Sequence, residues 1–259
     1  FGHGKIVDGM IHDGLWDPYD DQHMGNCAEA CAKTYGFSRE DQDAYAIESY
    51  RRAAEASDAG RFADEIAAVT LKVRGKEVVV DVDQEFSSIK QDKIPKLRPA
   101  FQKDGTVTAA NASSINDGAC ALALMSADTA AARGLKPLAR IRGFGDAAQA
   151  PIEFTTAPAK AVPIALKHAG LTLADIEYHE INEAFSVVAL ANMQLMGLDH
   201  SRVNVNGGAV ALGHPIGCSG ARIITTLMSV LKQNDATFGT ASICNGGGGA
   251  SAIVIERLE

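Results

Sequence analysis

From Pro137 onward the chain alternates short apolar runs with longer segments of mixed polarity. Leu138 to Phe144, Ile176 to Ile181, Thr240 to Cys244 and Ala250 to Ile255 have the character of strands. Between them, Pro158 to Ala169, Ser186 to Met196 and Ala221 to Leu231 are long enough for helices. The segment at Ser186 is apolar at most positions, which predicts a buried helix. Strands alternating with helices predict a layered α/β architecture. The first hundred residues are more polar. There Ser38-Arg-Glu-Asp41 has the spacing of a capping box, predicting a helix from about Arg39 through Ala59 that stops at Gly60. Ile66 to Val73 and Val78 to Val82 read as two strands joined by a turn around Arg74-Gly-Lys76. A basic, proline-punctuated loop follows at Lys93-Ile-Pro-Lys-Leu-Arg98-Pro. The small polar stretch Thr106 to Ser114 then leads into the apolar run Ala119 to Met125, which is expected to be buried. Small residues there would let backbone and ligand approach closely.

Composition changes this picture little. The 259 residues are 46% hydrophobic and 22% charged, enough for one large soluble domain or two smaller ones. A formal charge of −8 argues against a general nucleic-acid surface but leaves room for an anionic ligand at a local basic patch or helix N-terminus. No apolar run has the length to cross a bilayer, so no membrane partner is expected. No signal or transit segment is visible after Phe1, and Ile255 to Glu259 is not a peroxisomal address. Five cysteines, at 27, 31, 120, 218 and 244, form no secreted framework and no zinc spacing. Four of them read as buried or half-buried free thiols; Cys244 stands apart.

Cys244 ends an apolar strand and is followed by Asn245 and four glycines. Such a loop is either a flexible turn or a place where backbone N–H groups converge on a developing charge. Thirty residues earlier, Gly207, Gly208, Gly213, Gly217 and Gly220 crowd around His214. His214 alone could be an incidental turn residue. With Cys244 it makes a pair that works either as nucleophile and base or as two proton-transfer groups. Asn182-Glu-Ala-Phe185 lies between a strand and a helix, where Asn182 can cap the helix, orient a water or substrate, or do both.

Asn182-Glu-Ala-Phe185, the segment Asn206 to Arg222 around Gly213-His214-Pro215, and Cys244-Asn-Gly-Gly-Gly-Gly-Ala-Ser251 resemble the three C-terminal motifs of thiolases. His23-Met-Gly25 and Gly105 to Ser113 are similar to thiolase segments around the coenzyme A tunnel. Within the family the likeness is to the acetyl-CoA acetyltransferases. The resemblance implies a layered α/β/α/β/α thiolase fold of two similar five-stranded halves. Residues 1–115 would be most of the loop domain, 116–137 a remnant of the N-terminal half, and 138–259 the C-terminal domain. It also implies a reversible Claisen condensation of two acetyl-CoA to acetoacetyl-CoA and CoA, with no cofactor required for the chemistry. His214 would activate a nucleophilic cysteine, Cys244 would move the proton of the second acetyl group, and Asn182 would hold a water beside His214 Nε2. The N–H of Gly246 would donate to the other oxyanion. The family's nucleophilic cysteine lies upstream of the His-Met-Gly motif, and the 22 residues before His23 contain no cysteine, so this chain is expected to lack it.

By the same resemblance, His23, Met24, Ile89, Lys93, Phe101, Ser113, Phe154 and Phe185 would contact CoA or its acyl group. Read without it, Lys93 is a solvated surface lysine, Phe101 and Phe185 are core aromatics, and Ser113 is a turn residue. A potassium ion would be held by Tyr50 and the backbone carbonyls of Ala109, Ala110, Ala112 and Val210; oxygen-only ligation suits a hard cation. Thr155 after Phe154, where the branched-chain-active mitochondrial type has proline, argues against branched substrates. With Cys218 it points to the cytoplasmic type, the mitochondrial one being the alternative. Family members form dimers or tetramers, so a homo-oligomer is expected. Two other functions remain at this level: a degradative 3-ketoacyl-CoA thiolase, and a non-catalytic CoA-binding protein on the same scaffold.

Overall fold

The structure, a computed structural model, describes residues 1–258. A short pairing of β1 (Trp16–Asp17) with β2 (Gln22–His23) leads into helix α1 (Met24–Tyr35) and then α2 (Arg39–Asp58). The capping box at Ser38 is formed: its hydroxyl accepts from the Asp41 N–H at 3.1 Å, and the Asp41 carboxylate accepts from the Ser38 N–H at 2.8 Å. Helix α2 ends at Asp58, and Gly60 follows at φ +69°. The hairpin is β3 (Val69–Val73) and β4 (Lys76–Val80), shorter than the sequence predicts. Its turn is Arg74-Gly75, both at positive φ, which matches the twist of a two-residue hairpin loop.

Two short pieces, α3 (Glu85–Ser88) and α4 (Ala127–Ala132), precede the central sheet. That sheet consists of β5 (Ala139–Ala148), β6 (Tyr178–Ile181), β7 (Phe238–Asn245) and β8 (Gly249–Arg257), in the order β5-β8-β7-β6. Only β6 and β7 run parallel. Helices α5 (Pro158–Ala169) and α6 (Ser186–Met196) are followed by α7 (Ala209–Leu212) and α8 (Ser219–Gln233). Helix α5 packs on one face of the sheet through Ala161, Ala165, Ala252 and Val254. Helix α8 packs on the other through Ile223, Leu227, Ala241 and Ile255. The sheet therefore carries a helix on each face.

Two expectations need correction. The sheet has four strands and not five: beyond β6 there is only a single bridge, His179 with Val203. The side chain of Asn204 takes over there, accepting from the Ile181 N–H at 2.9 Å and donating to the Ile181 carbonyl at 2.8 Å, as a neighbouring strand would. The apolar run Ala119 to Met125 is not buried. Leu124 is 73% exposed and Met125 45%, although Cys120 Sγ reaches Thr225 Oγ1 of α8 at 3.1 Å. No described helix is long and apolar enough to cross a membrane.

Candidate active site

The ends of β6 and β7 hold the chemistry. The two strands are parallel and in register from Tyr178 with Gly239 to Ile181 with Ser242, and the Asn182 N–H donates to the Ser242 carbonyl at 2.9 Å. Asn182 and Cys244 thus lie at the carboxyl ends of adjacent parallel strands, where α/β sheets place their ligands. His214 arrives from the other side. Gly207 (φ +82°) and Gly213 (φ +87°) bend the chain around α7, and an added Cβ on Gly213 would meet Asn116 Oδ1 at 2.2 Å. The loop Asn111–Ile115 stitches the two segments together. Ser113 donates through N–H and hydroxyl to the Ala184 carbonyl (3.0 and 2.9 Å), while the Ser114 carbonyl accepts from the His214 N–H (2.9 Å).

Asn182 Nδ2 faces His214 Nε2 at 3.4 Å. On the other side of the ring, Nδ1 lies 2.6 Å from Ser219 Oγ, and that hydroxyl donates to the Pro215 carbonyl at 3.1 Å. A serine has one hydrogen to give, so Ser219 accepts from Nδ1–H and leaves the lone pair on Nε2. Burial, helped by the Arg222 guanidinium, lowers the imidazole pKa to about 4. His214 is therefore a neutral base at neutral pH, with Nε2 as its basic atom. Asn182 Oδ1 is buried without a hydrogen-bond partner.

Cys244 is buried at the end of β7 against Met24, Phe154, Ile181 and Phe185. Burial, with Cys31 adding to it, pushes its thiol up to about 12, so it is protonated at rest. Among the described residues it makes no hydrogen bond to His214, whose Nε2 faces Asn182 at the end of β6. The glycines after it close the β7–β8 hairpin, with Gly247 and Gly248 at φ +82° and +91°. The Gly246 N–H donates to no carbonyl of the described chain, and Met24 Cε would lie 2.7 Å from a Cβ there.

The chain's matches with known proteins cover all of this geometry. Residues 1–128 match the thiolase N-terminal domain and 135–257 the thiolase C-terminal domain. This chain belongs to the thiolase family. Acetyl-CoA acetyltransferase 2 of Arabidopsis thaliana is 54% identical over 261 residues, spanning all of this chain and 65% of its own length. The acetyl-CoA acetyltransferase of Bacillus anthracis superposes with a TM-score of 0.95 at 43% identity, over 100% of this chain and 66% of that one. Acat5 thiolase from Ascaris suum, solved in complex with coenzyme A, gives 0.92 at 49% identity, again over 100% and 66%. The thiolase chain thus spans about two thirds of the relatives it matches, and its fold is the thiolase fold.

The other expected residues of this thiolase fall into two groups. His23 stacks on Phe101 (centroids 4.7 Å apart), Phe101 meets Phe185 edge-on (6.2 Å), and Met24 and Phe154 share the core that holds Cys244. His23 also caps α1, its Nδ1 accepting from the Gly25 N–H at 3.0 Å. Ile89 instead packs with Tyr50, Ala110 and Val210, and Lys93 lies exposed in the turn before Leu97. The carbonyls of Ala109, Ala110 and Ala112 accept no hydrogen bond among the described residues, and Tyr50 sits in the same cluster. Cys27, Cys31 and Cys218 are buried free thiols and Cys120 is half-buried. Sequence reasoning missed Ser219, a hydroxyl five residues beyond His214 at the start of α8.

Proposed function

We propose that the protein is an acetyl-CoA C-acetyltransferase that joins two acetyl-CoA into acetoacetyl-CoA and free CoA, and runs the reverse thiolysis. The observation that carries this reading is the pairing of a neutral His214, its Nε2 lone pair beside Asn182, with a protonated Cys244 on the adjacent strand end. The relatives' names support the substrate class.

His214 Nε2 takes the proton of an acyl-accepting thiol, which attacks the acetyl thioester and releases CoA–SH. Cys27 and Cys31 do not suit that role: they lie inside α1 with pKa values pushed up to about 11, mainly by burial. The departing CoA thiolate takes the proton of the resting Cys244 thiol and leaves Cys244 as the thiolate. That thiolate takes a methyl proton from the second acetyl-CoA, and the enolate attacks the acetyl-enzyme, expelling the enzyme thiolate, which recovers its proton from His214 Nε2. In the cleavage direction the resting Cys244 thiol gives its proton to the departing enolate. A thiolate in a site this dry is a strong base, which suits proton abstraction beside a thioester. Asn182 and protonated Nε2 stabilise one oxyanion, and the free Gly246 N–H the other. His23, Met24, Phe101, Phe154 and Phe185 form the apolar wall for acyl group and pantetheine; Ser113 anchors the loop beside it, and Ile89 and Lys93 lie toward the nucleotide end. The closure of that wall over Gly246 favours acetoacetyl-CoA over long 3-ketoacyl chains.

The unpaired carbonyls of Ala109, Ala110 and Ala112, with Tyr50 and Val210, have the chemistry to hold a potassium ion, which would rigidify the loop leading to Ser113. The assignment of residues 1–115 to the loop domain, 116–137 to the N-terminal half and 138–259 to the C-terminal domain belongs to the same proposal. So do a homo-oligomeric state and, from Thr155, a cytoplasmic location. The test is turnover of the intact protein. Cys244→Ala and His214→Ala should each lower kcat for acetoacetyl-CoA thiolysis by about a hundredfold or more. Faster turnover of a long-chain 3-ketoacyl-CoA than of acetoacetyl-CoA would defeat the assignment.

A further inference from the structure

Next to Asn182, Glu183 is completely buried, yet it is not in an apolar setting. Its Oε1 accepts from the Tyr45 hydroxyl (2.7 Å) and Asn204 Nδ2 (2.8 Å). Its Oε2 accepts from the Ser49 hydroxyl (2.8 Å) and the Val210 N–H (3.1 Å). Four donors reach it from three places: helix α2, the Asn204 turn, and the start of α7, four residues before His214. The approach is so close that an added Cβ on Gly208 would lie 2.3 Å from the carboxyl carbon.

Each oxygen receives one donor that can turn round and one that cannot. The hydroxyls of Tyr45 and Ser49 can rotate. The Val210 N–H is backbone. Asn204 is fixed because its Oδ1 accepts from the Ile181 N–H and its Nδ2 also donates to the Ile181 carbonyl. An amide nitrogen placed at either oxygen position would face a fixed N–H, so the site accepts only a group with two acceptor oxygens. A carboxyl group fits and an amide does not.

We propose that Glu183 is a positioning residue: its carboxylate ties Asn182, α2 and the His214 segment together and sets the Asn182–His214 separation on which the oxyanion stabilisation depends. The proposal rests on the thiolase reading for its kinetic consequence and on geometry alone for its structural one. It gives Glu183 a role that Asn182's neighbour would not need if the motif served only to cap α6.

The test is a double-mutant cycle in the intact protein, combined with crystallography. Glu183→Gln should lower kcat by about tenfold or more while KM for acetoacetyl-CoA stays within about twofold. In an Asn182→Ala background the same substitution should cost about threefold or less, since the contact it positions is already gone. A merely structural Glu183 would cost the same factor in both backgrounds. The crystal structure of E183Q should show Asn182 Nδ2 and His214 Nε2 moved beyond hydrogen-bond reach. Equal costs in both backgrounds, or an unchanged separation, would overturn the proposal. If E183Q does not fold, Ser49→Ala, which removes one donor to Glu183 and the acceptor of the Gly208 N–H but touches neither Asn182 nor His214, should show the same coupling at smaller amplitude. A wild-type protein without thiolase turnover would sink the functional reading, and the crystallographic separation would then decide the role of Glu183.

Discussion

Gly208 and Gly246 both stand where a methyl group has no room, and they differ in what it would strike. At Gly246 the obstacle is Met24 Cε, the free end of a flexible side chain, 2.7 Å away. At Gly208 it is the Glu183 carboxylate, held by four donors. Gly208→Ala should therefore cost about 1–3 kcal/mol of stability, as overpacking does. Gly246→Ala should leave the Tm close to wild type and act instead on the acyl end of the site, because Met24 must swing aside. Differential scanning calorimetry of the two variants checks this; equal Tm losses would show that Glu183 yields as readily as Met24. The same residues show what a sequence can reveal at this scale. His214, Cys244 and Asn182 stand out because glycine density and strand-end position mark them locally. Ser219, Glu183 and Asn204 do not, because their importance lies in partners 5 to 138 residues away.

Among the elements, α2 is the one whose boundaries the local chemistry dictates. The Ser38–Asp41 capping box satisfies N–H groups that the first turn would otherwise leave without partners. Ser38→Ala should destabilise the protein by about 1 kcal/mol. Chemical denaturation should show it as a lower midpoint with unchanged slope; a change in slope would mean that the whole α2 packing had been disturbed. Helix α1 escaped prediction for the converse reason. Its cap is the imidazole of His23, which no propensity scale would select, and its first turn relies on Gly25 lying flat against the Phe101 ring. Ala119 to Met125 misled because apolar character alone says that a segment wants a partner, and not that the partner belongs to the same stretch of chain. The fifth strand failed to form for a comparable reason, since an asparagine side chain meets the backbone needs of Ile181 in its place.

At the scale of the whole molecule, buried titratable groups set a pH window for stability. His179, His200 and His214 are all lowered to about 4, mainly by burial. Unfolded, they titrate at about 6.5, so between ~4 and ~6.5 the unfolded chain binds more protons and stability is lost as pH falls. Glu180 acts in the opposite sense. Burial pushes its carboxyl up to about 8 even though Arg222 lies 3.7 Å away, so the folded chain holds a proton that the unfolded one releases above its ordinary 4.5. That contribution is lost as pH rises from ~4.5 to ~8. Together they predict a stability optimum near pH 7, with Glu180→Gln flattening the alkaline decline and steepening the acid one above ~4.5, where the two windows overlap. Tm measured across this range tests it; an alkaline slope that persists in E180Q would place its origin elsewhere.

Both margins of the sheet are met by single side chains. On the β6 side the Asn204 amide occupies the backbone groups of Ile181, and on the β5 side His168 Nδ1 lies 3.3 Å from the Phe144 nitrogen and 3.1 Å from its carbonyl oxygen. Each edge therefore presents a strand from another molecule with an interruption. Replacing either side chain would turn a stop into a point of growth.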